Sequence, residues 1–258
     1  MRGEAMDFPG RYGPHRSVFS SRQLGTPCLL LDLNIVTDKY ERLASALPEA
    51  EIYCAVKANG DPGLLTHLAR LGAGFDVASP GEISLCLGSG VARDRLSFGH
   101  TVKKGRDIAS AWTEGVPLVA VDSIEELEEL ETSAPGAGLV ARLSVGCEGA
   151  RWPISRKFGL PADDTVRLLR SAAQKGFGPL GVTFHVGSQQ EAPQRWSEAL
   201  GLVAQIRKEL ADCAALEILD LGGGLPAAYS RDVAPVEEYG KAIRRYLSDH
   251  KFQDCVLS

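Results

Sequence analysis

The stretch Ile52-Tyr53-Cys54-Ala55-Val56-Lys57-Ala58-Asn59-Gly60-Asp61-Pro62 sets the architecture of this chain. Its apolar run predicts a buried strand, and the Asn-Gly-Asp-Pro cluster ends that strand in a turn. Pro62–Leu71 then carries helical periodicity, so strand, short loop and helix follow in quick succession. Lys57 stands at the strand's end. An ammonium there is costly unless it is paired or chemically used. Burial lowers a lysine's pKa, and a neutral amine attacks carbonyls to form Schiff bases. Taken alone, the segment more simply holds a lysine that has reached solvent.

Working outward, the same alternation recurs. Strands are expected at Ile52–Val56, Gly74–Ala78, Leu96–Phe98, Leu118–Val121, Leu139–Val145, Leu180–Val186, Glu217–Leu221 and Asp254–Leu257. Helical periods fall between most of them, at Pro62–Leu71, Pro80–Leu87, Ser123–Glu131, Asp163–Lys175, Pro193–Leu210 and Val236–His250. Upstream, Cys28–Leu33 reads as a short strand and Asn34–Leu47 as a helix stopped by Pro48. Such alternation implies parallel strands joined by crossover helices. The class is therefore α/β, and eight strands is the number that closes a (β/α)8 TIM-type barrel. A doubly wound open sheet is the competitor, weakened because no glycine fingerprint follows the first strand.

The 258 residues suit one large barrel domain, and the 44% apolar fraction is ordinary for a globular protein. A formal charge of −5 argues against nucleic acid or an anionic membrane surface as partner. No run approaches the roughly 18 apolar residues of a membrane span. Met1–Arg16 is rich in Gly, Pro and Arg and lacks the apolar core of a secretory signal. Residues 1–25 are expected to be a flexible tail and residues 26–258 the barrel. The six cysteines are scattered without a C-x-x-C pair, which points to a reducing, cytoplasmic setting.

In a barrel, the loops after the strands form the active face. Unusual polar residues fall there: Lys57 after the first strand, Asp76 in the second with Glu82 beyond it, Arg142 in the fifth and His185 at the end of the sixth. Gly222-Gly223-Gly224 follows the seventh. Each has a bland alternative: a hydrogen-bonded core histidine, an Arg142–Asp76 structural ion pair, a plain glycine turn, or Glu82 as a carboxylate favoured by a helix N-terminus. Their placement at successive strand ends argues against coincidence. Backbone amides of a glycine triplet converge on anions, and the loops after strands seven and eight are a recurrent phosphate site. A Schiff-base lysine with a phosphate cradle points to pyridoxal 5′-phosphate, with the His185 imidazole able to stack on its ring. No pair of histidines has metal-ligand spacing, so no metal is expected.

The blocks Ile52–Asn59, Gly74–Ser79, Lys157-Phe158-Gly159, Phe184–Gln189 and Asp220–Gly224 resemble the ornithine/diaminopimelate/arginine decarboxylase family of fold-type III pyridoxal-phosphate enzymes, from about Thr26 onward. The resemblance implies that Lys57 holds the cofactor covalently and His185 stacks on its ring. Ser188 and the amides of Gly222, Gly223 and Gly224 would bind its phosphate. Asp76, Glu82 and Arg142 would line the pocket, and Lys157 would sit near a dimer interface. The implied reaction is α-decarboxylation of an amino acid by a homodimer.

The family continues past the last barrel strand with a Glu-Pro-Gly-Arg block and a C-terminal β-domain, whereas this sequence stops at Asp254-Cys255-Val256-Leu257-Ser258. The resemblance therefore describes a barrel whose β-domain is missing, with impaired activity expected of the 258 residues alone. Val186 after His185 is closer to the ornithine/lysine branch, where the amine product is of polyamine type; diaminopimelate is the runner-up substrate. A non-catalytic homologue acting as a binding or regulatory protein, and a single-barrel carrier or racemase, are the remaining alternatives.

Overall fold

Tyr53–Ala55 (β1), Gly74–Val77 (β2), Leu96–Phe98 (β3), Leu118–Val121 (β4) and Gly138–Leu143 (β5) pair in parallel, each with the next. Ala150–Trp152 (β6) and Ser188–Gln190 (β8) leave this order and pair antiparallel with one another. Strand β5 instead meets Leu180–Phe184 (β7), which meets Ile218–Asp220 (β9), which meets Val256–Leu257 (β10), all in parallel. Ala50 bridges Leu257 in parallel and the Glu51 N–H donates to the Leu257 carbonyl at 2.9 Å, which joins the last strand to the approach of the first. The protein is an eight-stranded (β/α)8 TIM-type α/β barrel. This computed structural model describes residues 25, 27–153, 157–229 and 231–258.

Helices alternate with the strands, and three of the loops carry a side-chain cap that starts the helix. Asp61 caps Pro62–Leu71 (α2) by accepting from the Leu64 N–H at 3.0 Å, and Ser79 caps Pro80–Gly88 (α3) through the Glu82 N–H at 3.3 Å. Both helices carry proline at the first position, where its missing N–H costs nothing. Ser123 caps the acidic helix Ile124–Ser133 (α5) in the same way. Leu33–Ala46 (α1), Ala162–Gln174 (α6), Gln194–Leu210 (α7) and Val236–Asp249 (α8) also lie within a residue or two of their expected spans. Gly105–Thr113 (α4), between β3 and β4, was not anticipated. Apolar faces of the strands and helices form the buried layer between them, with Leu127, Leu139, Leu168, Val182, Trp196, Val203 and Leu219 at its centre.

Asn34–Ser258 form one compact unit. The tail expected over residues 1–25 lies outside the described residues except for Gly25. The strand expected at Cys28–Leu33 does not form: residues 27–32 have no strand, Leu33 opens α1, and Leu29 is 85% exposed. An apolar run becomes a strand only where a neighbour completes its hydrogen-bond ladder. All six cysteines are free, and among the described residues no helix is long and apolar enough to cross a membrane.

Candidate active site at the C-terminal end of the barrel

Strand register decides which side chains meet. Ala55, Asp76 and Ser97 are neighbours across β1, β2 and β3, and Arg142, Thr183 and Asp220 are neighbours across β5, β7 and β9. All six line one cavity of about 670 Å³. Lys57, Gly99, His100, Phe158, His185, Ser188, Gly222 and Gly223 complete its polar end. Small residues at inward positions, Ala55, Ser97 and Ala120, leave the barrel open where larger ones would fill it.

Lys57 is not buried in its strand. It rides on a single turn of 3-10 helix, Val56–Ala58, that ends β1 and exposes its side chain at the cavity. Its charge is felt below: it pulls the Asp76 pKa down, although burial dominates and leaves that carboxyl raised to about 6. The Gly99 amide, whose N–H donates to the Val77 carbonyl at 3.1 Å, also favours the Asp76 carboxylate, while the charges of Asp220 and Glu82 push its pKa up. The Arg142–Asp76 ion pair, the bland alternative for these two residues, does not form as a direct contact; Arg142 interacts with Asp76 only at longer range.

His185 accepts from the Gly187 N–H at Nδ1 at 2.9 Å, so its neutral ring carries the proton on Nε2. Burial, then the cations of Arg142 and Lys57, lower its pKa to about 4. The ring is thus a neutral, fixed plate beside Gly223.

Asp220 was quoted in the sequence but given no role, although an acid inside an apolar strand is the same signal that singled out Arg142. It accepts from Thr183 Oγ1 at 2.6 Å and from the Gly222 N–H at 2.8 Å. Burial raises its pKa against those two bonds and the pull of Arg142. The carboxylate keeps some surface toward the cavity and is otherwise enclosed by protein.

The glycine loop differs from expectation in two respects. The Gly222 amide is committed to Asp220, whereas among the described residues the amides of Gly223 and Gly224 donate to no protein acceptor. Gly222 has φ +64°, and a Cβ there would lie 1.7 Å from the Phe184 carbonyl oxygen. Gly224 is tied back by its carbonyl, which accepts from the Gln190 N–H at 2.8 Å, and it stands behind the cavity wall.

Glu82 does not line the cavity. Its carboxylate accepts from the Ala78 N–H at 2.7 Å and secures the start of α3, the helix-terminus role that was the bland alternative. Lys157 also stays outside the lining, its Nζ 5.0 Å from the Phe158 ring, and Phe158 occupies the wall instead. His100, one residue past Gly99 at the end of β3, was missed. Its position after a strand is the same rule that found Lys57. Burial and the cations Lys103, Lys57 and Arg142 lower its pKa, so it too is held neutral.

A pyridoxal-phosphate group fits this donor set. An accessible amine, the unpartnered amide of Gly223, a neutral imidazole and a guanidinium without a protein acceptor converge on a cavity of ligand size. Among the described residues, no group of three or more His, Cys, Asp or Glu is arranged to hold a metal ion.

Comparison with known proteins supports the same assignment. The family model of the pyridoxal-dependent decarboxylase, pyridoxal binding domain, matches residues 33–256. A lysine/ornithine decarboxylase of Selenomonas ruminantium is 31% identical over 235 residues, covering 89% of this chain and 60% of that protein. Antizyme inhibitor 2 of Xenopus laevis is 35% identical over 198 residues, covering 76% of this chain and 43% of that protein. The crystal structure of lysine/ornithine decarboxylase from Vibrio vulnificus, complexed with putrescine, superposes with a TM-score of 0.84 at 31% identity, over 92% of this chain and 64% of that one. The chain thus spans less than two thirds of the length of each.

Proposed function

This chain belongs to the pyridoxal-dependent decarboxylase family through its pyridoxal binding domain, and on that premise we propose that it binds pyridoxal 5′-phosphate for the α-decarboxylation of a basic amino acid, ornithine or lysine. The observation that carries the proposal is the convergence of Lys57, the unpartnered amide of Gly223 and the acceptor-free Arg142 guanidinium on one cavity.

Lys57 is the amine placed to hold the cofactor. Ser188 and the open amide of Gly223 would take its phosphate, and Asp220 keeps the glycine loop in shape by holding the Gly222 N–H. His185 offers a flat, uncharged ring whose tautomer is fixed by Gly187, so it packs without adding a competing cation. Arg142 supplies cationic donors from the opposite strand end. Asp76 balances the charge of Lys57. When bound, the cofactor supplies the electron sink for the pair left behind by departing carbon dioxide.

The matched decarboxylases are named for lysine and ornithine, which supports the basic amino-acid branch over diaminopimelate. The reading includes a homodimer and a cytoplasmic location. A second reading, a non-catalytic binding protein, is favoured by the similarity to an antizyme inhibitor.

The test is the visible absorbance of the purified chain with added pyridoxal 5′-phosphate, beside a Lys57→Ala variant, followed by carbon dioxide release from ornithine, lysine and diaminopimelate. A band in the wild type that the variant lacks is expected, with turnover of ornithine or lysine. No band, or the same band in the variant, would overturn the assignment of Lys57. A band without carbon dioxide from any substrate would favour the binding protein. Turnover of diaminopimelate alone would correct the substrate.

A further inference from the structure

Arg142 is a cation in an awkward place. It projects from the inner face of β5 into the barrel, half-buried, and burial works against its charge. The carboxylates of Asp122, Asp220 and Asp76 compensate from a distance. Among the described residues its guanidinium has no hydrogen-bond acceptor and no ion-pair contact. Two of those three carboxylates are otherwise engaged: Asp122 accepts from the Gly159 N–H at 2.9 Å, and Asp220 from Thr183 and Gly222. A long side chain with many donors and no acceptor has nothing polar to fix its direction.

What does touch it is an aromatic ring. The guanidinium carbon of Arg142 lies 4.8 Å from the centroid of Phe158, within cation–π range. The ring is itself held on three sides of the chain. Leu160 follows it and pairs with β5: its N–H donates to the Arg142 carbonyl at 2.8 Å, and its carbonyl accepts from the Ser144 N–H at 2.8 Å. Between them, Gly159 has φ +96°, and a Cβ there would come within 2.8 Å of the Ser144 nitrogen, so the turn lies flat on the strand. Across the cavity mouth, His100 meets the Phe158 ring edge-on, with centroids 6.1 Å apart and an interplanar angle of 82°. His100 is fixed in turn through its carbonyl, which accepts from the buried Lys103 ammonium at 2.8 Å.

We propose that Phe158 is a positioning residue: its ring, pinned to β5 by Gly159 and Leu160 and braced edge-on by His100, carries the Arg142 guanidinium and aims its donors into the cavity at an anionic ligand. This rests on the proposal that the cavity takes pyridoxal 5′-phosphate, and it adds the device that orients the cation. Phe158 acts through Arg142, so its removal is felt only where Arg142 is present.

Two measurements separate this inference from that proposal. In the ligand-free protein, an aromatic face shifts the Arg142 Nε–H resonance upfield, and Phe158→Leu should abolish that shift while Phe158→Tyr keeps it. Affinity for pyridoxal 5′-phosphate, followed by equilibrium titration, should fall about two- to thirty-fold in Phe158→Leu, the factor carried by a cation–π contact. It should be retained in Phe158→Tyr, and Phe158→Leu should cost nothing further in an Arg142→Met background. An Arg142 resonance that Phe158→Leu leaves in place would overturn the inference whatever the chain binds. So would an equal loss of affinity with and without Arg142, which would make Phe158 a wall of the pocket only. Failure of the wild type to bind pyridoxal 5′-phosphate while the resonance responds as expected would overturn the cofactor assignment and leave the stack standing.

Discussion

Replacing Asp76 by asparagine is expected to stabilise the fold at neutral pH while damaging the site. Burial raises this carboxyl from its ordinary 3.8 to about 6, even with Lys57 pulling the other way. At about 1.4 kcal/mol per pKa unit, ionising it in the folded protein costs about 3 kcal/mol relative to the unfolded chain. Between about pH 4 and 6 the folded protein holds a proton that the unfolded chain has released, so stability falls as pH rises through that window. Asparagine cannot ionise and keeps the shape of the carboxyl group. The gain from Asp76→Asn should therefore be absent below about pH 4, grow through pH 6 and level off near 3 kcal/mol. His185 contributes the opposite slope. Its folded pKa of about 4 lies below the ordinary 6.5, so the unfolded chain binds the extra proton between those values, and stability is lost as pH falls through them. In the wild type the two slopes nearly cancel between pH 4 and 6. In Asp76→Asn only the His185 slope remains, and stability should climb with pH by about 3 kcal/mol. Urea unfolding of both proteins at half-unit steps of pH, extrapolated to water, measures this directly. A variant less stable than wild type at pH 8, or a gain equal at pH 4 and pH 8, would refute the reasoning.

Two further expectations concern the frame around the site. Lys103 forms a buried ion pair with Glu126, nitrogen to oxygen 2.7 Å, and donates to the Ala120 carbonyl at 2.6 Å and to the His100 carbonyl. Lys103→Met should cost about 3 to 5 kcal/mol by stranding the buried Glu126, and Lys103→Met with Glu126→Leu should recover most of it in the same unfolding assay. Gly222→Ala should cost more than the roughly 1 to 2 kcal/mol of a left-handed alanine, because its Cβ meets the Phe184 carbonyl, and should abolish pyridoxal 5′-phosphate binding in a titration. Gly223→Ala, whose Cβ would stand 3.4 Å from the His185 ring, should fold normally.

Much of the barrel was legible because its signals are local. Pro62–Leu71, Leu96–Phe98 and Leu118–Val121 form with the bounds that their apolar period and flanking turn residues predict. The exceptions share a cause. Cys28–Leu33 has strand composition but no strand, since a ladder needs a neighbour that no local pattern supplies. The antiparallel pair β6 and β8 went unseen for the converse reason: Ala150 and Trp152 meet Gln190 and Ser188 only after the barrel has formed. Within the site, Lys57, Asp76, Arg142 and His185 were marked by polar chemistry at strand ends and Ser188 by the family resemblance, and the structure brings them to one cavity. Glu82 carried the same mark and serves the helix cap.

The sequence by itself determined the order and type of the elements and the inventory of reactive groups at their ends. Period, caps and turns act within a few residues of one another, and a linear reading captures them. Only the tertiary structure decided that Gly222 spends its amide on Asp220, that Lys57 stands open on a helical turn, and that Phe158 faces Arg142 and His100. Those contacts join residues far apart in the chain, as Thr183 and Asp220 are. Each depends on strand register, where a slip of one residue would turn every side chain to the opposite face of the sheet.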